Sequence, residues 1–367
     1  MKRAVWSFLV VLAWSCGQPP PGTEDSGNPD ASVEDAGRDA DVDAGGTDDA
    51  GIPDAGAPDA GLPDAGAPDA GSPDSGTPDA GTPDAGLPDA GVRPDGGLCP
   101  LPSGVGAPFR VRAMAANLTS GNLQSYDPGH GARIMQGVDP DIVMIQEFNY
   151  GTNSASAIAG FVSATFDGGF SYQRGAGQIP NGVISRWPIV AQGEWTDTLV
   201  GNRGFTWAKV DLPGPNDLWV VSVHLLTSSA GNRNNEAGQL ITRFNANIPA
   251  GDYLLLGGDF NTDNRSEAAF TTFSSRLVVA GPHPADQDGA QGTNRNRDKP
   301  YDNVLASPCL KALQTATVIG NSTYASGLVV DTTVYTPLSE IAPAQFGDSN
   351  ASNMQHMGVV KDFLIQP

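Results

Sequence analysis

Between residues 17 and 98 the chain is built almost entirely of Pro, Asp, Ala, Gly, Ser and Thr, with Val, Ile and Leu appearing singly. So little apolar surface cannot offset the entropy of ordering the backbone, and the stretch is expected to stay disordered. From Ile52 to Gly91 it repeats every five residues, as Ile-Pro-Asp-Ala-Gly and close variants, through eight units, one carrying Ser75 in place of Ala. Pro stiffens each unit, Gly loosens it, and the evenly spaced Asp side chains repel one another. Such a segment would reach about 250 Å if fully extended and about 50 Å as a flexible coil, which reads as a spacer. A calcium-binding repeat is the sharper alternative, but one Asp per unit makes poor multidentate ligation. The globular part is therefore confined to residues 99–367, a size that suits one domain with a large core.

The net charge of −21 is unevenly distributed: residues 17–98 hold 19 acidic and 2 basic side chains. With Lys2 and Arg3 set aside, the remainder has 22 acidic and 16 basic residues and is only mildly acidic. A domain without a broad basic excess does not advertise tight nucleic-acid binding by phosphate neutralisation. A nuclease that binds weakly and uses a metal stays compatible with that balance.

Residues 1–16 read MKRAVWSFLVVLAWSC. Lys2 and Arg3 form a positive start, and Ala4–Ala13 is an apolar run of signal-peptide length, too short to span a membrane. The run ends at Ala13-Trp14-Ser15-Cys16 and turns polar at once, which resembles a bacterial lipoprotein signal with Cys16 as the lipidated residue. Ala13 and the bulky Trp14 depart from that pattern, and an ordinary secretory signal with Cys16 incidental is the other reading. Either way the chain is expected to be exported: lipid-anchored at the outer membrane or cell surface in the first case, secreted in the second. The remaining cysteines, Cys99 and Cys309, could pair in an oxidising compartment and pin the start of the domain to its body, or stay as two buried thiols.

After Pro108 the pattern becomes strand-like, with Phe109, Val111, Ala113 and Ala115 alternating up to Asn117. Asp141 opens a short apolar run that ends in Gln146-Glu147-Phe148. Further strands are expected at 170–174, 181–186, 204–211, 218–224, 253–258, 301–306 and 359–365, with helical spacing at 234–247 and 266–274. Many strands with few helices between them predict an α+β fold, two mixed β-sheets packed face to face with helices outside: a four-layer α/β/β/α sandwich. The polar residues fall where strands stop, at His224 and at Gly258-Asp259-Phe260-Asn261. Each has a bland reading, as a structural histidine or a backbone-bonded turn; rigid strand ends are also where a scaffold presents side chains to a common cleft.

Taken in order, Asn117, Gln146-Glu147, the Asn181-Gly-Val-Ile-Ser185-Arg-Trp-Pro188 stretch, Val221-Ser-Val-His224, Gly258-Asp259-Phe260-Asn261, Asp302 and His356 resemble the endonuclease/exonuclease/phosphatase family. The resemblance covers about residues 109–367. It implies a phosphodiesterase that binds Mg²⁺, or Mn²⁺ or Ca²⁺ in its place, through Glu147 and Asn117. His356 would act as general base or as the imidazole charged against the scissile phosphate. Asp259 would hold the attacking water or polarise His356, Asn261 would orient, and His224 would stabilise the pentacoordinate phosphate. Asp302 resembles the family's supporting Asp, with a structural role the alternative. The family's closing Ser-Asp-His reads Ser352-Asn-Met-Gln355-His356 here, so Gln355 takes the Asp position and the site loses one negative charge. The two other histidines, His130 and His283, lie in Gly- and Pro-rich segments and are expected on surface loops.

The implied substrate is a phosphodiester: nucleic acid first, with a phospholipid or an inositol phosphate as the second class. A catalytically lapsed surface binding module is the non-enzyme alternative, favoured by Gln355 alone. A monomer is expected, its only membrane contact being the N-terminal lipid. The six tryptophans are scattered and form no aromatic tip for docking on lipid.

Overall fold

The computed structural model describes Cys99 and residues 106–367; the expected signal, Cys16 and the spacer lie outside the described residues. The element order begins β1 (Phe109–Ala116), α1 (His130–Val138), β2 (Ile142–Ile145), α2 (Ala155–Thr165), β3 (Ser171–Arg174), β4 (Gly182–Ser185) and β5 (Ile189–Trp195). It continues β6 (Phe205–Val210), β7 (Leu218–His224), α3 (Ala230–Asn247), β8 (Tyr253–Asp259), α4 (Ala268–Phe273), β9 (Asp302–Ala306) and α5 (Pro308–Lys311). Four short strands follow, β10 (Gln314–Thr315), β11 (Thr317–Ile319), β12 (Ser322–Tyr324) and β13 (Leu328–Val330), before β14 (Gly358–Ile365) closes the domain.

Two mixed sheets result. The first runs β10-β14-β1-β2-β4-β3 with β13 also on β14, and the second runs β5-β6-β7-β8-β9. β1 and β2 are parallel, as are β7 and β8; the other pairings in both sheets are antiparallel. The period of two in β1 sorts its residues between two cores. Val111, Ala113 and Ala115 meet Val220, Leu255 and Val304 of the second sheet, while Met114 and Ala116 pack with Ile134, Met135 and Phe161 of α1 and α2. On the far side Leu254 and Leu256 of β8 pack against Leu240 and Phe244 of α3 and Phe270 and Phe273 of α4. This is the expected four-layer α+β sandwich. Trp195, Trp207 and Trp219 brace its outer face, Trp207 lying 5.6 Å from Trp195 and 5.5 Å from Trp219 between ring centroids.

α3 starts earlier than its apolar spacing implies because Ser229 caps it, its side chain accepting from the Asn232 amide. Cys99 and Cys309 are joined as a disulfide, with Cα atoms 5.2 Å apart across 210 residues of sequence. His130 departs from expectation: it opens α1, its Nδ1 2.9 Å from Ser120 Oγ. Among the described residues no helix is long and apolar enough to cross a membrane.

Candidate active site

The parallel pairs β1/β2 and β7/β8 end at one rim of the sandwich, and each of those four strands delivers a polar side chain there. Asn117 follows β1, Glu147 lies two residues beyond β2, His224 ends β7, and Asp259 ends β8. Asp302 opens β9, and His356 precedes β14, its backbone bridged to Asn294. All six are buried. The Gly257-Gly258 pair is what lets β8 press against β2 at this point. A Cβ on Gly257 would come 2.6 Å from Met144 Sδ, and one on Gly258, at φ +132°, would come 2.4 Å from Gln146 Nε2. Glu147 and Asn261 hold left-handed backbones at φ +50° and +51°, a conformation that non-glycine residues keep only where the surroundings enforce it.

Asp259 is the hub. Its Oδ1 accepts from the Asn261 amide at 2.8 Å, and its Oδ2 accepts from Asn117 Nδ2 at 3.1 Å and Asn261 Nδ2 at 3.3 Å. The same Oδ2 lies 3.3 Å from His224 Nε2 and 3.4 Å from His356 Nε2. His356 turns its other nitrogen to Asp302, Nδ1 to Oδ2 at 3.0 Å. Asp302 is fixed in turn by its amide, which donates to Thr293 Oγ1 at 2.7 Å. The imidazole is therefore oriented by Asp302 and not by Gln355, which is exposed and lines the adjoining groove with Asn294, Arg295, Tyr301 and Asn353.

The two histidines are driven in opposite directions. Burial pushes His224 down to about 3, more than the Asp259 carboxylate can recover, so it is neutral. Burial also works against charge on His356, but Asp259, Asp302 and Glu147 outweigh it and hold the imidazole well above its ordinary value. Two titratable groups separated in this way are suited to different proton-handling roles. Burial raises Glu147, while the Thr119 hydroxyl donating to Oε2 favours the carboxylate form.

The donor set fits a hard divalent cation. Glu147 offers a carboxylate, and Asn117 Oδ1 is buried with no hydrogen-bond partner, as is His224 Nδ1, 4.0 Å from Glu147 Oε1. Orphaned buried acceptors around a carboxylate call for a ligand. Asp259, Asp302 and His356 also bring donor atoms within 4.8 Å of one another, but there the imidazole nitrogens already face the two carboxylates. Thr119, and Gln124, which donates to Glu147 Oε1 at 3.2 Å, belong to the site and carry no sequence motif. Arg203 does as well, propping the end of β7 by donating from Nε to His224 O at 2.6 Å. Arg174, a basic side chain near the site, is committed to Phe148 O and Asn149 Oδ1.

A two-sheet sandwich with carboxylates, amides and two histidines gathered on one rim defines a class of phosphoesterases, and the sequence comparison agrees. The model of the endonuclease/exonuclease/phosphatase family matches residues 121–326, more than half of the chain, and the chain belongs to that family. No curated protein matches it. Among solved structures it is similar to a family protein from Bacteroides vulgatus, at 15% identity and TM-score 0.50, over 71% of this chain and 100% of that one. A Beutenbergia cavernae family protein is 19% identical at TM-score 0.47, over 70% of this chain and 72% of that one. One from Bacteroides thetaiotaomicron is 16% identical at TM-score 0.48, over 71% and 99%. At 15% identity the likeness to the Bacteroides vulgatus protein speaks to fold alone.

Proposed function

We propose that the chain is an exported, metal-dependent phosphodiesterase acting on nucleic acid, carried on a spacer and tethered by lipid at Cys16. The single observation that carries the catalytic reading is the convergence of Asn117, Glu147, His224, Asp259, Asn261 and His356 on one buried cluster, with Asp302 behind His356. The export reading rests on the positive start, the apolar run and Cys16, and the spacer reading on the composition of residues 17–98. Residues 99–367 form the catalytic domain in this reading.

Glu147 and Asn117 would hold Mg²⁺, or Mn²⁺ or Ca²⁺. A bound cation of this kind neutralises charge on the phosphoryl oxygens and lowers the pKa of a coordinated water. The protein side does the rest. His356, kept protonated, donates to an oxygen of the scissile phosphate, and Asp259 aligns the attacking water and accepts its proton. Neutral His224 gives its one N–H to Asp259 through Nε2, leaving Nδ1 as an acceptor beside Glu147, and Asn261 fixes Asp259 through two contacts.

One observation favours a second substrate class. The groove beside Glu147 is lined by Asn122, Gln124, Asn149 and Gln178, and the one beside His356 by Asn294, Tyr301 and Asn353. Arg295, the one cation in those linings, donates to Met354 O at 2.9 Å. Carboxamides suit a small polyhydroxylated phosphate such as an inositol phosphate as well as they suit nucleobases. Plasmid DNA, RNA, sphingomyelin and inositol phosphates, each assayed with Mg²⁺, Mn²⁺ and Ca²⁺, separate the classes. Turnover of none of them would overturn the enzymatic reading and leave the binding module.

A further inference from the structure

Lys361 lies on β14 between Val359 and Phe363, both of the core between the sheets, and its side chain shares that inward face. It is only 7% exposed, yet it makes no hydrogen bond or ion pair among the described residues. Its stem is fixed by close neighbours: a Cβ added at Gly327, where φ is +103°, would meet Lys361 Cγ at 2.9 Å and Pro284 Cγ at 3.1 Å. The side chain lines a small chamber at the open edge of the sandwich together with Arg265, His283, Thr293 and Asn303.

The chamber is cationic. Arg265 donates to Asn303 Oδ1 at 2.7 Å and has no carboxylate partner; burial lowers it to about 10. Lys311, at the end of α5, is bonded to the neutral Gln314 and adds its field, which with that of Arg265 opposes charge on both Lys361 and His283. The contrast with the other buried basic side chains is sharp, because Arg112 is paired with Asp362 and Arg233 with Glu267. Asp302 is the one acidic group in the lining; its Oδ2 is shared with His356 and its Oδ1 is buried without a hydrogen-bond partner, so one carboxylate, already facing an imidazole, stands against Lys361 and Arg265. An unpaired buried ammonium beside a guanidinium without a carboxylate partner is disfavoured unless it gives up its proton or a counter-charge enters.

We infer that this chamber, which meets the catalytic cluster at Asp302, binds one small inorganic anion of halide size between Lys361, Arg265 and His283. Size selects the ligand class. The space open to the centre of a water-sized sphere is about 10 Å³, room for one water or one halide and too little for phosphate or sulfate. Charge then selects a halide over water, since a water cannot neutralise Lys361 and Arg265. The anion completes the edge between β9 and β14 in the way that the Asp362 carboxylate does for Arg112.

The test uses the whole chain in sodium bromide against sodium gluconate at equal ionic strength. Bromide should raise Tm saturably, on the order of 3 °C at tenfold over its dissociation constant, and Lys361→Met should remove the difference. Crystals soaked in bromide should show an anomalous peak within about 3.5 Å of Lys361 Nζ, the contact range of an ammonium and a halide. Arg265→Gln serves where Lys361→Met does not fold, and should weaken the bromide effect at least tenfold. Equal melting in both salts with no anomalous peak in the chamber would overturn the inference, as would bromide bound equally well in Lys361→Met.

Discussion

His356 Nδ1 lies 3.0 Å from Asp302 Oδ2, and this contact joins the last catalytic side chain of the chain to the opening residue of β9. Through it Asp302 fixes the ring so that Nε2 faces Asp259, and its charge helps keep the imidazole protonated. Asp302→Asn keeps the shape and removes the charge. It should lower kcat on the order of 10²–10⁴-fold with little change in KM, and it should lower the pH at which the His356 ring loses its proton. Steady-state kinetics on a soluble phosphodiester and NMR titration of the ring check both. An unchanged kcat would assign Asp302 a structural role only.

The Glu147 carboxylate and the orphaned Asn117 Oδ1 predict a metal effect that is independent of turnover. Mg²⁺ should raise the Tm of the wild-type chain in a concentration-dependent way, as any ligand of the native state must, and Glu147→Gln should abolish the rise. A wild-type Tm indifferent to Mg²⁺, Mn²⁺ and Ca²⁺ would contradict the assignment.

The fold and the hub of this site are legible in the chain because they coincide with strong local signals. β7 runs over the expected 218–224, and β8 ends in the two glycines and carboxylate that its apolar run announces. The support around them is not legible. Thr119 and Gln124 reach Glu147 from a loop with no periodicity, and Arg203 reaches the end of β7 from a turn. Strands β10 to β13 are two or three residues long, shorter than any alternating pattern. Helix α2, Ala155–Thr165, is rich in small residues, and its signal is a single Ser154 cap accepting from the Ala157 amide. His356 is oriented by Asp302, 54 residues before it in sequence; the resemblance names Asp302 as a supporting residue, but only the fold shows that it, and not the neighbouring Gln355, faces the ring.

The Cys99–Cys309 bridge closes a very long loop, so its removal should be felt throughout the domain. Such links contribute typically about 2–4 kcal/mol, and at about 2–4 °C per kcal/mol for a domain of this size reduction should lower Tm by roughly 4–16 °C. Melting with and without reductant, with thiols counted by alkylation mass, checks this. Two thiols alkylated in the untreated native protein would rule the bridge out.

Lys361 predicts a pH dependence of stability in halide-free buffer. Burial, with Lys311 and Arg265 adding to it, lowers its folded value to about 7 from the ordinary 10.5. Between those values the unfolded chain binds the proton that the folded chain has released, so stability rises with pH above about 7 and is lost as pH falls toward it. Urea unfolding in gluconate from pH 7 to 9.5 should show this slope in the wild type, a flatter one in Lys361→Met, and a smaller one when bromide is present. Identical slopes for wild type and variant would place no titration at Lys361.

The central claim is that the cluster around Asp259 hydrolyses phosphodiesters with a divalent cation. The most direct measurement is hydrolysis of plasmid DNA and of an inositol phosphate diester by residues 99–367, with Mg²⁺ or EDTA, in the wild type and in His356→Ala. Mg²⁺-dependent turnover, abolished by EDTA and lowered at least 10²-fold by His356→Ala, is the predicted result. Turnover that persists through both treatments would contradict it.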